Sequence, residues 1–400
     1  MASLDDYREI VGDEVIGKIF KTATPLLGKR VIHLNSTYQG GGVAEILSSL
    51  IPLMNDAGID VDWKILHGTL DFFTITKKFH NALHGEELNL SEIKKRVYME
   101  CNERFSVYTH INHDCVIVHD PQPLPLVKFF RKKQPWIWRC HVDMSNPDSE
   151  LWTYLKLFIL RYDEVILSNE NYFKEELPVP QTCIHPSLDP LTPKNKEISD
   201  KLISKTLSKF KIPTDKPIIS QISRFDKWKD TEGVIEVYEL VKRKVDCRLI
   251  LLGSMATDDP EGPMLYEKLT RRVRDNKDII LIAVENQILV NSLQRVSSVI
   301  LQKSLREGFG LTVSESLWKG TPVVGSRVGG IPLQIIDGKN GYLVDPKNTE
   351  EWVDRVVEIL RKPKLRSKMG DFGREWVKKN FLITRQLLDY INLLQRVINI

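Results

Sequence analysis

Arg306-Glu307-Gly308-Phe309-Gly310-Leu311-Thr312-Val313-Ser314-Glu315-Ser316-Leu317-Trp318-Lys319-Gly320-Thr321-Pro322-Val323-Val324 decides how this chain is read. The run before it, Ser298-Val299-Ile300-Leu301-Gln302, is apolar and bounded by polar residues, the pattern of a short buried strand. Beyond Gly308 and Gly310 the apolar residues Leu311, Val313, Leu317 and Trp318 take up helical spacing. Gly320 then stops the helix, and Pro322-Val323-Val324 opens a new strand. Two glycines thus start a helix at the carboxyl end of a strand. In an open α/β sheet that is where ligands bind, and the free N–H groups of the helix start favour an anion.

Two carboxylates belong to the same element: Glu307 in the loop and, eight residues on, Glu315, expected about two turns into the helix. A carboxylate repels phosphate but accepts well from sugar hydroxyls, so the pair suits a sugar. The plainer reading is one glutamate at a helix start and one on a solvated helix face.

Working outward, short β-rich runs alternate with helical patterns. Strands are expected at Val31–Leu34, Val61–Leu66, Cys115–Val118, Trp136–Cys140, Glu164–Leu167 and Thr182–Ile184. A second set follows at Pro217–Ile222, Cys247–Leu252, Ile279–Ile282, Ser298–Leu301, Pro322–Val324 and Gly341–Val344. This alternation predicts an α/β chain of parallel, doubly wound sheets. At 400 residues, against about 150 per domain, two domains are expected. The proline-rich stretch from Pro186 to Pro217 places the boundary near residue 190, with a short helix over Lys205–Phe210.

Composition removes several function classes. Fifty-seven basic residues against 53 acidic leave a net charge of +4, too weak to argue for nucleic acid or an anionic membrane. Five scattered cysteines without a Cys-x-x-Cys pair argue against disulfides and zinc, and for a reducing compartment. The amino terminus lacks the apolar run of a signal peptide, and no stretch approaches 18 apolar residues. A cytoplasmic protein is expected.

The expected strand ends collect polar residues. Asn35-Ser36-Thr37-Tyr38-Gln39-Gly40-Gly41-Gly42 leads into a helix with Val43, Ile46, Leu47 and Leu50 on one face. Its glycines let a ligand approach the backbone, and the helix dipole suits a diphosphate, although neither Gly-x-Gly-x-x-Gly nor a P-loop is present. Asp120, in His119-Asp120-Pro121-Gln122-Pro123, stands on a stiff turn and either caps a helix or binds a sugar. His141 and Asp143 follow the next strand; as a metal pair they lack a third ligand. Asp60-Val61-Asp62 sits at a strand entrance, the wrong end for a site. Arg224 and Lys229, five apart after the first strand of the second domain, suit a diphosphate whose charge grows as its bond to sugar breaks. Lys227 reads as surface charge.

Glu-Gly-Phe-Gly-Leu-x-x-x-Glu-x-x-x-x-Gly-x-Pro-Val over Glu307–Val323 resembles the signature of retaining GT-B glycosyltransferases of the glycogen-synthase and sucrose-synthase type. Together with Gly-Gly-Gly-Val-Ala-Glu-Ile-Leu, Val118–Pro123, Trp136–Asp143 and Ser223–Lys229, it is similar to the trehalose glycosyltransferring synthases, from about Tyr7 to Leu394. The retaining trehalose phosphorylases are similar too, and are expected to be longer. The resemblance implies two Rossmann-like domains facing each other across a cleft. They are an acceptor domain over 1–190, a nucleotide-sugar domain over 191–375, and a final helix over 376–400 crossing back to the first.

It further implies retaining synthesis of α,α-trehalose from UDP- or ADP-glucose and free glucose, with reversal open. No cofactor would be required and no metal would be bound by the chain, while stimulation by Mg2+ paired with free diphosphate stays open. A homodimer is allowed. Arg224 and Lys229 would clamp the leaving diphosphate, and Glu307 would hold the donor glucose and stabilise positive charge at its anomeric carbon. Backbone N–H groups of Gly308, Phe309, Gly310, Leu311 and Thr312 would bind sugar and phosphate oxygens, and Glu315 the ribose. His141 would contact the donor sugar, Gly41 and Gly42 would pack on the diphosphate, and Asp120, Gln122 and Asp143 would hold the acceptor. No carboxylate pair at glycosidase spacing supports a double displacement. Lys303 departs from the pattern, where an apolar residue is expected, and is read as altering the cleft edge. Two other classes stay open: an epimerase of sugar nucleotides, and a sensor that binds them without turnover.

Overall fold

The computed structural model describes residues 3–38, 41–254 and 261–399. Gln39 and Gly40 of the glycine loop lie outside the described residues. The chain forms two compact units: Met1–Ser187 with Ile383–Ile400, and Leu188–Leu382.

All twelve expected strands are present, each within a residue or two of its expected bounds. The first unit holds β1 (Arg30–Asn35), β2 (Asp60–Ile65), β3 (Cys115–His119), β4 (Trp136–Cys140), β5 (Glu164–Leu167) and β6 (Gln181–Cys183). They pair in parallel in the order β2-β1-β3-β4-β5-β6. The second unit holds β7 (Ile218–Ile222), β8 (Arg248–Gly253), β9 (Ile279–Ala283), β10 (Val299–Gln302), β11 (Val323–Ser326) and β12 (Gly341–Val344). Their order is β12-β11-β10-β7-β8-β9, again parallel.

Strands buried on both faces need apolar side chains throughout, and Cys115-Val116-Ile117-Val118-His119 is buried along its whole length. The edge strand β2 instead exposes Asp60 and Asp62, so its runs alternate. Trp136 and Trp138, both fully buried, anchor the core of the first unit against the helices over it. Each sheet reverses its winding once, between β1 and β3 and between β7 and β10. At such a point the two outgoing loops diverge and leave a crevice at the carboxyl ends of the strands.

The last helix, Ile383–Ile398, belongs to the first unit. Ile383, Leu387, Tyr390, Ile391 and Leu394 recur on its buried face, and it packs on helices Asp13–Ala23 and Gly42–Asp56. Arg396 fixes it to Glu164 at 3.0 Å. The unit boundaries fall at 187/188 and 382/383, whereas the expected break at 375/376 would cut helix Pro363–Asn380. Leu188 donates its N–H to the Phe381 carbonyl at 2.9 Å, so the two ends of the second unit meet side by side. The helix expected over Lys205–Phe210 is longer, Asp200–Lys209, because Ser199 caps it one turn earlier by accepting the Leu202 N–H at 3.3 Å.

Candidate active site

In the second unit the reversal between β7 and β10 gathers the loop carrying Arg224 and Lys229 and the loop carrying Glu307. Glu307 is buried, and its Oε2 accepts three donors: Lys229 Nζ at 2.5 Å, Gln302 Nε2 at 2.9 Å and Ser304 Oγ at 3.0 Å. Burial pushes its carboxyl up, but the ammonium and the two neutral donors outweigh it and hold the group below the usual range. Lys229 is itself held by its carbonyl, which accepts from Gln221 Nε2 at 2.8 Å. Arg224 is half-buried on the same loop, and Lys227 is exposed.

Gly310 has φ +83°, the left-handed conformation that lets the loop turn into helix Leu311–Trp318. A Cβ there would stand 3.2 Å from Glu307 Cγ. The amides of Leu311 and Thr312, the first two of the helix, point beyond its start without an intrahelical acceptor. Gln334 staples this turn: its Nε2 donates to the Phe309 carbonyl at 2.6 Å, and its Oε1 accepts the Ser314 N–H at 2.9 Å and its hydroxyl at 2.5 Å. Gly330 lies so close beneath that a Cβ would come within 2.7 Å of Phe309 Cα. The Thr312 hydroxyl ties the helix start to β7 by donating to the Ile222 carbonyl at 3.1 Å.

Glu315 is not two turns into the helix. It is the fifth residue of Leu311–Trp318, little more than one turn in, because the helix begins only after Gly310. Nor is it a solvated helix-face residue: it is 1% exposed, with Oε1 2.6 Å from Lys194 Nζ and Oε2 accepting from Gln294 Nε2 at 3.2 Å. Burial raises its carboxyl, and Lys194 and Lys319 more than reverse that. Lys303 is buried, not at an edge. Its ammonium pairs with Asp230, the cap of the helix after Lys229, donates to the Pro346 carbonyl at 2.9 Å and lies 5.9 Å over the Trp352 ring. Sequence reading missed Lys194, Gln294, Gln302, Ser304 and Gln334, since an isolated polar residue gives no sign of which carboxylate or carbonyl it will meet.

In the first unit Gly41 precedes helix Gly42–Asp56 in extended conformation (φ −155°), and a Cβ at Gly41 would meet nothing within 4 Å among the described residues. Asn35 Oδ1 accepts from Trp63 Nε1 at 2.8 Å while its amide donates to the Thr37 carbonyl at 2.6 Å, which fixes the departure of this loop. Asp120 has φ +63°, an unusual conformation for a residue with a Cβ that Asp tolerates better than most. It does not cap a helix. Its Oδ1 accepts the main-chain N–H of His141 at 2.7 Å, and its carbonyl accepts from Trp138 Nε1 at 3.0 Å. Asp120 and His141, from different strand ends, are therefore brought together.

Gln122 follows Asp120 by two residues, with its Oε1 buried and unpartnered among the described residues, an orphan of the kind a ligand donor would satisfy. Asp143 is used locally: its Oδ1 accepts the Ser145 N–H at 2.9 Å and hydroxyl at 2.6 Å. The His141 ring is turned to His119, with Nε2 3.1 Å from His119 Nδ1.

Residues 33–174 match the family described as "Trehalose synthase, N-terminal domain", and residues 203–376 match "Glycosyl transferases group 1". A trehalose synthase of Thermococcus litoralis is 46% identical over 398 residues, covering 98% of this chain and 96% of its own. A trehalose phosphorylase of Pleurotus pulmonarius is 28% identical over 94% of this chain and 58% of its own. Among solved structures, "Trehalose-6-phosphate from E. coli bound with UDP-2-fluoro glucose" superposes with a TM-score of 0.74 over 92% of this chain and 99% of that one, at 15% identity, which carries the GT-B fold. With glycosyltransferase sequence in both units and near-complete coverage at high identity, this chain belongs to the trehalose synthase family of glycosyltransferases.

Proposed function

We propose that the protein transfers glucose from a nucleoside diphosphate glucose, UDP- or ADP-glucose, to free glucose, forming α,α-trehalose with retained configuration. The observation that carries the reading is the Lys229–Glu307 contact of 2.5 Å beside the glycine-opened helix start. It joins a cation suited to a leaving phosphate and a carboxylate suited to a sugar. Arg224 and Lys229 stabilise the diphosphate as it departs. Glu307 takes donor glucose hydroxyls and faces the positive charge that develops at the anomeric carbon. The amides from Gly308 to Thr312 receive sugar and phosphate oxygens, and Glu315, with Lys194 beside it, takes the ribose hydroxyls.

In the first unit Gly41 and Gly42 leave room for a diphosphate at a helix start, His141 meets the donor sugar, and Asp120 and Gln122 orient the acceptor. Asp143 holds the acceptor with them, from the turn it closes with Ser145. The acceptor hydroxyl attacks on the face the diphosphate leaves, and the departing phosphate oxygen takes its proton. Five free cysteines, three of them buried, support a reducing, cytoplasmic compartment.

A phosphorylase reading, with inorganic phosphate in place of the nucleoside diphosphate, is favoured by the likeness to trehalose phosphorylases such as that of Pleurotus pulmonarius. Product analysis separates the two. The purified protein is incubated with glucose and UDP-, ADP- or GDP-glucose, and in parallel with trehalose plus each nucleoside diphosphate or plain phosphate. Trehalose made from a nucleotide sugar is expected. Glucose 1-phosphate from trehalose and phosphate would overturn the synthase, and interconversion of the nucleotide sugar without consumption of glucose would mark an epimerase. Arg224→Ala and Glu307→Gln should each cost about 10²–10³ in rate, and near-normal turnover in either would remove that residue from the mechanism.

A further inference from the structure

Three histidines of the first unit form one hydrogen-bonded chain across neighbouring strands. His33 Nδ1, in β1, lies 2.9 Å from Nε2 of His119, the last residue of β3. His119 Nδ1 lies 3.1 Å from Nε2 of His141, just beyond β4. The rings lie edge to edge and nearly coplanar, with centroids 5.1 and 5.4 Å apart and planes within 22° and 16°, as in-plane hydrogen bonds between ring nitrogens require. Burial holds His33 down to about 3, and burial, the neighbouring rings and Arg139 lower His119; burial and Arg139 lower His141. All three rings are neutral at ordinary pH.

A neutral imidazole has one donor and one acceptor, so fixing one ring fixes all three. Only two arrangements complete both hydrogen bonds. In one, every ring carries its proton on Nδ1, and donation runs from His33 to His119 to His141. In the other, every ring carries it on Nε2, and donation runs back. The closed end decides between them, because His33 Nε2 is buried and unpartnered among the described residues. Under the second arrangement that atom would be a buried N–H with no acceptor, a costlier orphan than a bare lone pair. The first arrangement leaves only the lone pair there.

We infer that His33 and His119 are positioning residues that hold His141 in its Nδ1–H form, so that this ring offers the sugar an N–H donor. The inference rests on the sugar-contacting role proposed above for His141. His33 and His119 are themselves sealed from solvent, where an imidazole costs desolvation that an aliphatic residue would not. Their polarity is useful only through the end of the chain they form. Asp120 fixes that end from the other side by accepting the His141 main-chain N–H at 2.7 Å. The ligand selected is an acceptor oxygen of a hexose hydroxyl.

The test reads the tautomer directly. The full-length chain, labelled with ¹⁵N at its nine histidines, is examined by NMR of the ring nitrogens, with His33→Phe, His119→Phe and His141→Phe for assignment. A protonated Nδ1 and bare Nε2 at His33, His119 and His141 are expected. A protonated Nε2 on neutral His141 would overturn the inference. Kinetics give a second readout. His119→Gln keeps an acceptor and a donor in the required order and should keep transfer within about threefold, whereas His119→Phe should lose about tenfold or more in kcat/KM. Equal activity in the two variants would also overturn it. The NMR readout needs no turnover, so a chain that transferred no glucose would refute the proposed function while the tautomer was still decided.

Discussion

Removing either partner of the Lys229–Glu307 pair should destabilise the ligand-free protein, and by unequal amounts. The Glu307 side chain is 9% exposed and that of Lys229 17%, so the carboxylate has less recourse to water. Breaking a buried pair from one side costs about 3–5 kcal/mol when the remaining charge has no other partner. In Lys229→Met the carboxylate keeps the Gln302 and Ser304 donors, at 2.9 and 3.0 Å, which brings the expected loss to about 2–3 kcal/mol. In Glu307→Gln the ammonium keeps an amide oxygen and its wetter side, and the loss should be about 1–2 kcal/mol. At about 2–4 °C per kcal/mol for a unit of this size, Lys229→Met should melt about 4–12 °C early and Glu307→Gln about 2–8 °C early. The assay is calorimetry without ligand, following the transition of the second unit. The double variant should melt well above the sum of the two losses, because neither charge is then stranded. Strict additivity, or a larger loss from Glu307→Gln than from Lys229→Met, would refute the reasoning.

Lys303→Met should cost about 1–3 kcal/mol by stranding the Asp230 carboxylate, and adding Asp230→Asn should recover much of it while keeping the helix cap; melting temperatures of the single and double variants decide. Gln334→Ala removes three hydrogen bonds from the glycine turn, so KM for the nucleotide sugar should rise more than kcat falls, measured by donor titration. Glu307 and Glu315 are held below their ordinary range by their ammonium partners, against the opposing effect of burial. The stability they contribute is therefore complete above the unfolded glutamate value of about 4.3 and is lost as pH falls through their lower folded values. Melting temperature from about pH 6 to pH 3 should fall more steeply in the parent than in Glu315→Gln. In kinetics, Lys229→Met and Glu307→Gln together should be scarcely slower than the worse single variant, as expected of residues acting as a unit; multiplied losses in single-turnover rates would contradict this.

The strands were legible because parallel strands buried on both faces read as unbroken apolar runs, and β3 is one throughout. The turn at Gly310 was legible because φ +83° is a conformation that glycine adopts at little cost. What pairs with what was not. Lys194 reaches Glu315 across 121 positions, and Gln334 reaches Phe309 across 25, with nothing local to announce either. His33 and His119 look like polar interruptions in apolar strands until the β1-β3-β4 register brings their ring nitrogens together. Asp143 is the instructive contrast: Asp143-Met144-Ser145 carries the spacing of a side chain that accepts from the backbone two residues on, and the structure uses it that way. Lys303 looked like a departure from an apolar position, yet its stem lies inside and only its ammonium needed the partner that Asp230 supplies.

In the proposed reaction the Lys229–Glu307 pair changes its balance as the sugar–phosphate bond breaks. An ammonium has three donors, so Lys229 can hold Glu307 and still donate a hydrogen bond to a phosphate oxygen. While the sugar–phosphate bond is intact the diphosphate competes weakly, and Lys229 keeps the carboxylate partly neutralised. As the bond breaks, negative charge builds on the phosphate, and the shared ammonium is drawn towards it. The same displacement leaves Glu307 more fully charged at the moment positive charge develops on the anomeric carbon. One contact thus couples stabilisation of the leaving group to stabilisation of the sugar, through interactions stronger in the transition state than in the ground state, as catalysis requires. Glu315 is under no such tension: Lys194 and Gln294 hold its two oxygens where no charge changes. The role proposed for it, binding the nucleotide, is accordingly static, and loss of Glu307 should be felt in kcat while loss of Glu315 is felt in KM.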